Sequence, residues 1–337
     1  MEILRDFDLT DFNTFHVKAK TKFFCEIKKE QDFLDLIKTE EFKNNEKFFI
    51  GSASNVLFTK DFDGIIIRNV LKGIKIFKED DDFVWIKVMG GEIWHDFVLF
   101  STERNLWGIE NLALVPGTVG AAPVQNIGAY GTEVGNTIES VEVINGESGE
   151  KKLFSKLECE FGYRESVFKN KFKNKYFITA VIFKLSKKKD ENINYRALKD
   201  YLEKNNLEIK KSKEASDVIT EIRKSKLPDP KVLGSAGSFF KNTYVTKDVL
   251  EKTKKDYPDM PSFEEGEKIK IPTGWLIEQC GWKGKRIGNV GVYDKQALVL
   301  VNYGGATGEE ILNLANEIMA SVCEKFGLKI APEVNLI

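Results

Sequence analysis

The chain of 337 residues is long enough for two or three domains, and its 42% hydrophobic and 12% aromatic content can fill sizeable cores. Its formal net charge of −1 provides no global field to attract nucleic acid. Met1-Glu2-Ile3-Leu4-Arg5-Asp6 lacks the apolar core of a secretory signal, and no apolar run is long enough to span a bilayer. A soluble, cytoplasmic protein is therefore expected, with no nucleic-acid, membrane or obligate protein partner. Cys25, Cys159, Cys280 and Cys323 are far apart, and only His16 and His95 supply imidazole, so no metal site or disulfide framework is expected. The thiols read as buried or idle.

From Lys47 to Ile50 a short apolar strand leads into Gly51-Ser52-Ala53-Ser54-Asn55, whose amides and hydroxyls could ring a pyrophosphate or simply form a turn. The Rossmann G-x-G-x-x-G and Walker patterns are both absent, so a dinucleotide would need another fold. Gly64–Asn69, Gly73–Phe77 and Phe83–Met89 read as successive strands of a sheet that Gly90-Gly91 stops. Apolar Trp94, Phe97 and Val98 then suit a short helix from Trp94 to Glu103. His95 within it reads as satisfied or exposed rather than catalytic.

Asn111–Gly131, N-L-A-L-V-P-G-T-V-G-A-A-P-V-Q-N-I-G-A-Y-G, intersperses short apolar runs with glycines and with Pro116 and Pro123. Glycine lets backbone amides press against a ligand, while proline fixes φ and withholds a donor. A buried, turn-rich connection and a cofactor cradle account for it equally well. Beyond it, Ser140–Asn145 and Glu150–Phe154 flank the turn Gly146-Glu147-Ser148-Gly149, and Tyr176–Leu185 reads as an apolar strand. The charged run from Lys184 to Glu191 marks a domain boundary.

Helices are expected over Ala197–Asn205 and Ser212–Lys224, with a weaker one around Val245–Lys255. A strand is expected over Ala297–Asn302. The long helix from Gly308 to Phe326 carries a capping box, Thr307 with Glu310, and a stop at Gly327. Ile311, Leu314, Ala315, Ile318, Val322 and Phe326 share its apolar face. In Gly234-Ser235-Ala236-Gly237-Ser238 small neighbours would let a ligand approach the Ser238 hydroxyl, although a serine in such a turn is often structural. No G-x-S-x-G elbow supports a hydrolase.

Several of these stretches occur together and in order: Asn13-Thr14-Phe15, Gly51–Phe58, Leu114–Gly131, Phe161-Gly162-Tyr163-Arg164-Glu165-Ser166, Lys226-Leu227-Pro228-Asp229-Pro230-Lys231, Gly237–Asn242 and Pro332-Glu333-Val334. In this the chain resembles the UDP-N-acetylenolpyruvoylglucosamine reductases, FAD enzymes of bacterial cell-wall precursor synthesis. The resemblance implies an α+β fold: a two-part FAD-binding domain of the vanillyl-alcohol-oxidase type plus a C-terminal α+β substrate-binding domain. The implied divisions are 1–68 and 69–190 for the flavin subdomains, 191–331 for the substrate domain, and 332–337 for a tail returning to the flavin domain. Tyr195–Leu207 and a loop at Tyr257–Gly266 suggest the longer of the family's two architectures.

By resemblance, noncovalent FAD is held by Gly51, Ser52, Ala53, Ser54, Asn55, Pro116, Gly117, Thr118, Gly120, Ala121, Ala122, Gly128 and Ala129, with Arg223 near the flavin ring. NADPH is the implied hydride donor, and the implied substrate is UDP-N-acetylglucosamine enolpyruvate, reduced to UDP-N-acetylmuramate. Ser238 would donate a proton, with Arg164 and Glu333 flanking the substrate carboxylate. Tyr163, Tyr195, Lys226, Asn242 and Gln296 match substrate or nucleotide contacts. Three departures stand out: Ala121-Ala122 replace serines, Phe263 a tyrosine, and Asn335 an arginine. Neither histidine nor cysteine occurs in Gly51–Phe58 or Leu114–Gly131, where a covalent flavin oxidase of similar fold would often carry one. A redox-silent FAD or sugar-nucleotide module is a further alternative, disfavoured by the joint presence of Ser238, Arg164 and Glu333.

Overall fold

The apolar run Tyr176–Ser186 forms the middle of a sheet whose two faces are both covered, which is why its interior residues are buried almost without interruption. This computed structural model describes residues 1–189, 196–266 and 268–337. The chain divides into two units: one of Met1–Phe7, Thr21–Ser52 and Asp63–Ser225, the other of Asp8–Lys20, Ala53–Phe62 and Lys226–Ile337.

In the first unit Tyr176–Ser186 pairs antiparallel with Ile138–Asn145 on one side and Phe83–Met89 on the other. Lys151–Ser155 and Ile74–Glu79 are the outer strands. Ile178, Val181, Phe183 and Leu185 pack with Trp94, Phe97 and Val98 of the helix Trp94–Thr102. Phe177 instead joins a second core, stacked on Phe33 with ring centroids 4.5 Å apart. The expected single run of strands is divided between sheets. Phe62–Asn69 lies beside Glu46–Ile50 in a four-stranded sheet, in parallel register with Phe48 opposite Ile66. Its fully buried Ile65 and Ile67 need cover on one side that Ile74–Glu79, largely exposed, does not need.

The helix Ser212–Lys226 begins in this unit too. Its Ala215, Ile219 and Ile222 join the core of the five-stranded sheet, as do Leu198 and Ile209, although the sequence reading puts these residues beyond a boundary at 190. An amphipathic helix goes wherever an apolar face is bare. Ser212 Oγ donates to Thr102 O at 3.3 Å, fixing the helix start beside the end of Trp94–Thr102.

The second unit contains the three-stranded sheets Thr243–Val245 with Lys268–Ile271 and Phe263–Glu265, and Arg286–Ile287 with Val290–Val292 and Leu300–Asn302. The expected weak helix starts later, at Lys247, because Thr243–Val245 pairs with Lys268–Ile271. Helix Gly308–Phe326 matches its expected bounds. Glu310 N donates to Thr307 Oγ1 at 3.2 Å, Thr307 N donates to Glu310 Oε2 at 2.7 Å, and Gly327 takes φ +67°. Thr307→Ala removes that cap. It should cost about 1 kcal/mol, and calorimetry should find the unfolding of this unit lowered by roughly 2–4 °C.

Cys25 and Cys159 are buried, which pushes both thiols up to about 12; Cys280 is half-buried. Cys323 is exposed rather than buried, on the outward side of a helix whose inward side is packed. No helix of the described residues is long and apolar enough to cross a membrane. Among the described residues no group of three or more His, Cys, Asp and Glu could hold a metal.

Candidate active site

Two clusters of sequence-predicted site residues form, one in each unit. In the first, Gly51 approaches Thr118 so closely that a Cβ on it would lie 2.1 Å from Thr118 Oγ1. Thr118 Oγ1 and Ser52 Oγ are both buried and without a protein partner, as are Asn111 Oδ1 and Arg223 Nε. A buried polar group without a partner costs free energy, about 1–3 kcal/mol for each hydroxyl or amide. The Ser52 and Thr118 hydroxyls, both on small-residue loops, are donors of the kind an anionic ligand completes.

The turn-rich stretch is built on left-handed residues other than glycine: Leu114 at φ +57°, Asn126 at +44° and Tyr130 at +49°. These conformations are costly and persist only when surroundings hold them. Asn126 supplies part of that hold. Its Oδ1 accepts from Gly135 N at 2.9 Å, and its Nδ2 donates to Glu133 Oε2 at 2.8 Å and Gly162 O at 2.9 Å. Gly162 and Glu165 exchange backbone hydrogen bonds, leaving Tyr163 and Arg164 at the tip of a tight hairpin with Arg164 at φ +57°.

Arg164 Nη2 donates to Gly128 O at 2.6 Å, and its guanidinium lies 5.2 Å from the centre of the Tyr163 ring. Gly128 leaves room for it, since a Cβ there would come within 2.7 Å of Arg164 Nη1. Ser166 Oγ donates to Val124 O at 2.6 Å on the other arm of the hairpin. Thus Arg164, Tyr163, Gly128 and Ala129 are neighbours, and Arg223 has Tyr130 beside it. The backbone bond makes the Arg164 guanidinium a positioned cation.

In the second unit the Ser238 segment lies between two others. Phe239 N donates to Leu298 O and Glu333 N donates to Phe239 O, each at 2.7 Å, and Phe240 bridges Pro332. Phe239 and Phe240 are fully buried, which anchors the turn carrying Ser238. Gln296 Oε1 accepts from Leu298 N at 3.3 Å, and Asn242 Oδ1 accepts from Thr273 N at 3.2 Å. Gln296 Oε1 also lies near Gly274, 3.3 Å from where its Cβ would be, so Asn242 and Gln296 meet at the start of helix Thr273–Gln279. Ser238, Glu333, Asn242 and Gln296 therefore belong to one set of packed segments. Lys226 is exposed, and Tyr195 lies outside the described residues.

Residues 21–152 match an FAD-binding domain family, and residues 229–337 match the family described as UDP-N-acetylenolpyruvoylglucosamine reductase, C-terminal domain. The chain is 50% identical over 339 residues to the UDP-N-acetylenolpyruvoylglucosamine reductase of Flavobacterium johnsoniae, covering 100% of both chains. The chain belongs to the UDP-N-acetylenolpyruvoylglucosamine reductase family. Its likeness to the enzyme of that name from Bdellovibrio bacteriovorus is 40% over 99% of each chain. A crystal structure of UDP-N-acetylenolpyruvylglucosamine reductase from Thermus caldophilus shares the fold, with a TM-score of 0.66, 21% identity, and 99% and 98% of the two chains covered.

As a member of the reductase family the chain is an FAD-dependent oxidoreductase, with the α+β architecture that the sequence implies. The cradle fits that cofactor on its own terms. Two unpartnered hydroxyls, Ser52 and Thr118, beside the closely approached Gly51 backbone form a donor set suited to an anionic diphosphate. With Ala121 and Ala122 in place of serines, Ser52 and Thr118 are the unpartnered hydroxyls of the first unit's loops.

Asn335 also has its own arrangement in this reductase. Its backbone N and side-chain Nδ2 both donate to Asn55 O, at 3.1 and 3.0 Å, while Asn55 Nδ2 donates to Glu333 O at 3.3 Å. Asn335–Leu336 continues as a short parallel pair with Val56–Leu57. An asparagine where arginine is common thus exchanges a charge for a clasp on the loop that follows Gly51-Ser52. Sequence reasoning does not single out Asn126 or this clasp, because neither has a local pattern; Gly162, and the partners in the clasp, are remote in the chain.

Proposed function

We propose that this chain reduces the enolpyruvyl group of UDP-N-acetylglucosamine enolpyruvate to the D-lactyl ether of UDP-N-acetylmuramate, for cell-wall precursor synthesis in the cytoplasm. The observation that carries this reading is the hydrogen-bonded pairing of the Ser238 and Glu333 segments, Glu333 N to Phe239 O at 2.7 Å. It supports a proton donor and a carboxylate-directed residue working on one ligand.

Bound FAD relays hydride from NADPH to substrate. Ser52 and Thr118, with the backbone of Gly51, Ala53–Asn55, Pro116–Thr118, Gly120–Ala122 and Gly128-Ala129, would hold it, with Arg223 on the side of its ring. Hydride arriving at the terminal carbon of the enolpyruvyl group pushes negative charge onto the adjoining carboxylate. Arg164, pinned through Gly128, offers a fixed cation to those oxygens, a contribution of about 3–4 kcal/mol for one well-aimed donor. Glu333 assists at the same carboxylate. Ser238 then gives its proton to the neighbouring carbon, which sets the product's configuration; an alcohol can do this only because that carbon is strongly basic at that moment. Asn242, Gln296, Lys226, Tyr163 and Tyr195 bind the sugar, its diphosphate or the nicotinamide nucleotide.

The test starts from the purified protein with no FAD added. It should be yellow, lose its colour anaerobically on addition of NADPH, and regain it on addition of the enolpyruvyl sugar nucleotide. A colourless protein that takes up no FAD, or a bleached one that the sugar nucleotide leaves bleached, overturns the proposal.

A further inference from the structure

His95 belongs to none of the residue sets assigned to cofactor or substrate, yet it is tied to the cradle. It lies in the first turn of helix Trp94–Thr102, half-buried, and its Nδ1 accepts the Leu114 N–H at 3.0 Å. Accepting that bond requires Nδ1 to be unprotonated, so the ring is neutral with its hydrogen on Nε2. Leu114 is one of the left-handed residues, a conformation that costs a branched side chain about 1–2 kcal/mol.

The bond does not stand alone. Trp94 Nε1 donates to Leu112 O at 3.0 Å, and Trp94 N donates to Gly117 O at 3.1 Å. Two successive residues therefore hold Leu112, Leu114 and Gly117, the turn that delivers the chain to Thr118. Both Trp94 bonds end on carbonyls and do not change with pH. The His95 bond is the titratable member of the set.

We propose that His95 is a positioning residue for the FAD cradle, its neutral imidazole fixing the Leu114 turn that presents Thr118, so that cofactor affinity depends on the state of this ring. This rests on the FAD-dependent reading above. The charged groups around His95 are Asp96 on its own helix and Lys213, Arg223 and Lys224 on Ser212–Lys226. Burial holds the imidazole below its ordinary value of 6.5; Asp96 opposes this and the three cations reinforce it. The bond is thus intact at neutral pH. It is lost as the pH falls through a value below 6.5, with the imidazolium losing its acceptor.

The experiment measures the FAD dissociation constant of the full chain by flavin fluorescence, from about pH 8 to about pH 5, for wild type, His95→Asn and His95→Ala. Asparagine Oδ1 can stand in for imidazole Nδ1 and does not titrate. Wild type should lose affinity about tenfold towards the acid end, His95→Asn should stay near the neutral wild-type value throughout, and His95→Ala should be about tenfold weaker at every pH. Thermal unfolding of each apoprotein shows whether it is folded. Should a variant fail to fold, the wild-type pH curve decides alone. A wild-type affinity that is flat with pH, an Asn variant that follows the wild-type curve, or an Ala variant that binds like wild type overturns the proposal while leaving the reductase reading intact. Absence of FAD binding by wild type overturns both.

Discussion

Replacing Ser238 by alanine should slow the return of flavin colour on addition of the enolpyruvyl sugar nucleotide by about 10²–10⁴-fold, the range that a positioned proton donor contributes. Bleaching by NADPH should keep its wild-type rate. The contrast is expected because the substitution removes one oxygen and little else. The turn is held by buried Phe239 and Phe240 and by backbone bonds from Phe239 N to Leu298 O and from Glu333 N to Phe239 O, all indifferent to the Ser238 side chain. Gly237 before it takes φ +71°, and apart from the glycine and its two chain neighbours no heavy atom of the described residues lies within 4 Å of where its Cβ would be. Rapid-mixing absorbance at the flavin band follows both half-reactions separately. Equal slowing of the two would point to a general loss of structure, and no slowing of the second would exclude Ser238 as the donor.

The parts of the molecule legible in the sequence are those whose causes are local. Helix Gly308–Phe326 needs only its periodic apolar face, Thr307, Glu310 and Gly327, and all of these lie within it or at its ends. The strand Tyr176–Ser186 announces itself by a continuous apolar run. Gly64–Asn69 reads as continuous with the strands after it, whereas its sheet is decided by parallel pairing with Glu46–Ile50, across a loop that carries no pairing signal. The expected helix around Val245–Lys255 starts too early for the same reason: the strand Thr243–Val245 has its partner, Lys268–Ile271, beyond an intervening helix. The site divides along the same line. Gly51-Ser52 and Pro116–Ala122 declare a backbone-lined cradle by their small residues. Arg164 does not declare itself, because what makes it a fixed cation is Gly128 O, 36 residues away, and a bond from Asn126 to Gly162 that itself spans 36 residues. Glu333 is tied to the Ser238 turn through the pairing of two segments far apart in sequence. Resemblance supplied what spacing could not.

Gly51→Ala should give a folded protein that is purified nearly free of FAD, with affinity reduced by about 10²–10⁴-fold. The added Cβ would lie 2.1 Å from Thr118 Oγ1, 2.9 Å from its Cγ2 and 3.0 Å from its Cβ. Threonine is branched at Cβ and stiff about χ1, so it cannot swing one atom aside without moving the other. Thr118 is itself buried, and its backbone carbonyl accepts from Ala121 N at 3.0 Å and Ala122 N at 3.2 Å. Relief must therefore come from moving the Gly51 loop or the Thr118 turn, at about 1–3 kcal/mol for overpacking. Either movement also takes the hydroxyl away from the diphosphate it is proposed to hold, at about 1.5–3 kcal/mol for a bond to a charged acceptor. The double variant Gly51→Ala, Thr118→Ala separates the two costs. It removes the two closest contacts and leaves Cβ to Cβ at 3.0 Å, so the apoprotein's unfolding temperature should recover most of its loss. FAD affinity should recover only to that of Thr118→Ala alone, about 10–100-fold below wild type. Full recovery of affinity in the double variant would mean that the Thr118 hydroxyl holds no part of the cofactor, and unchanged affinity in Gly51→Ala would mean that this loop does not line the cradle.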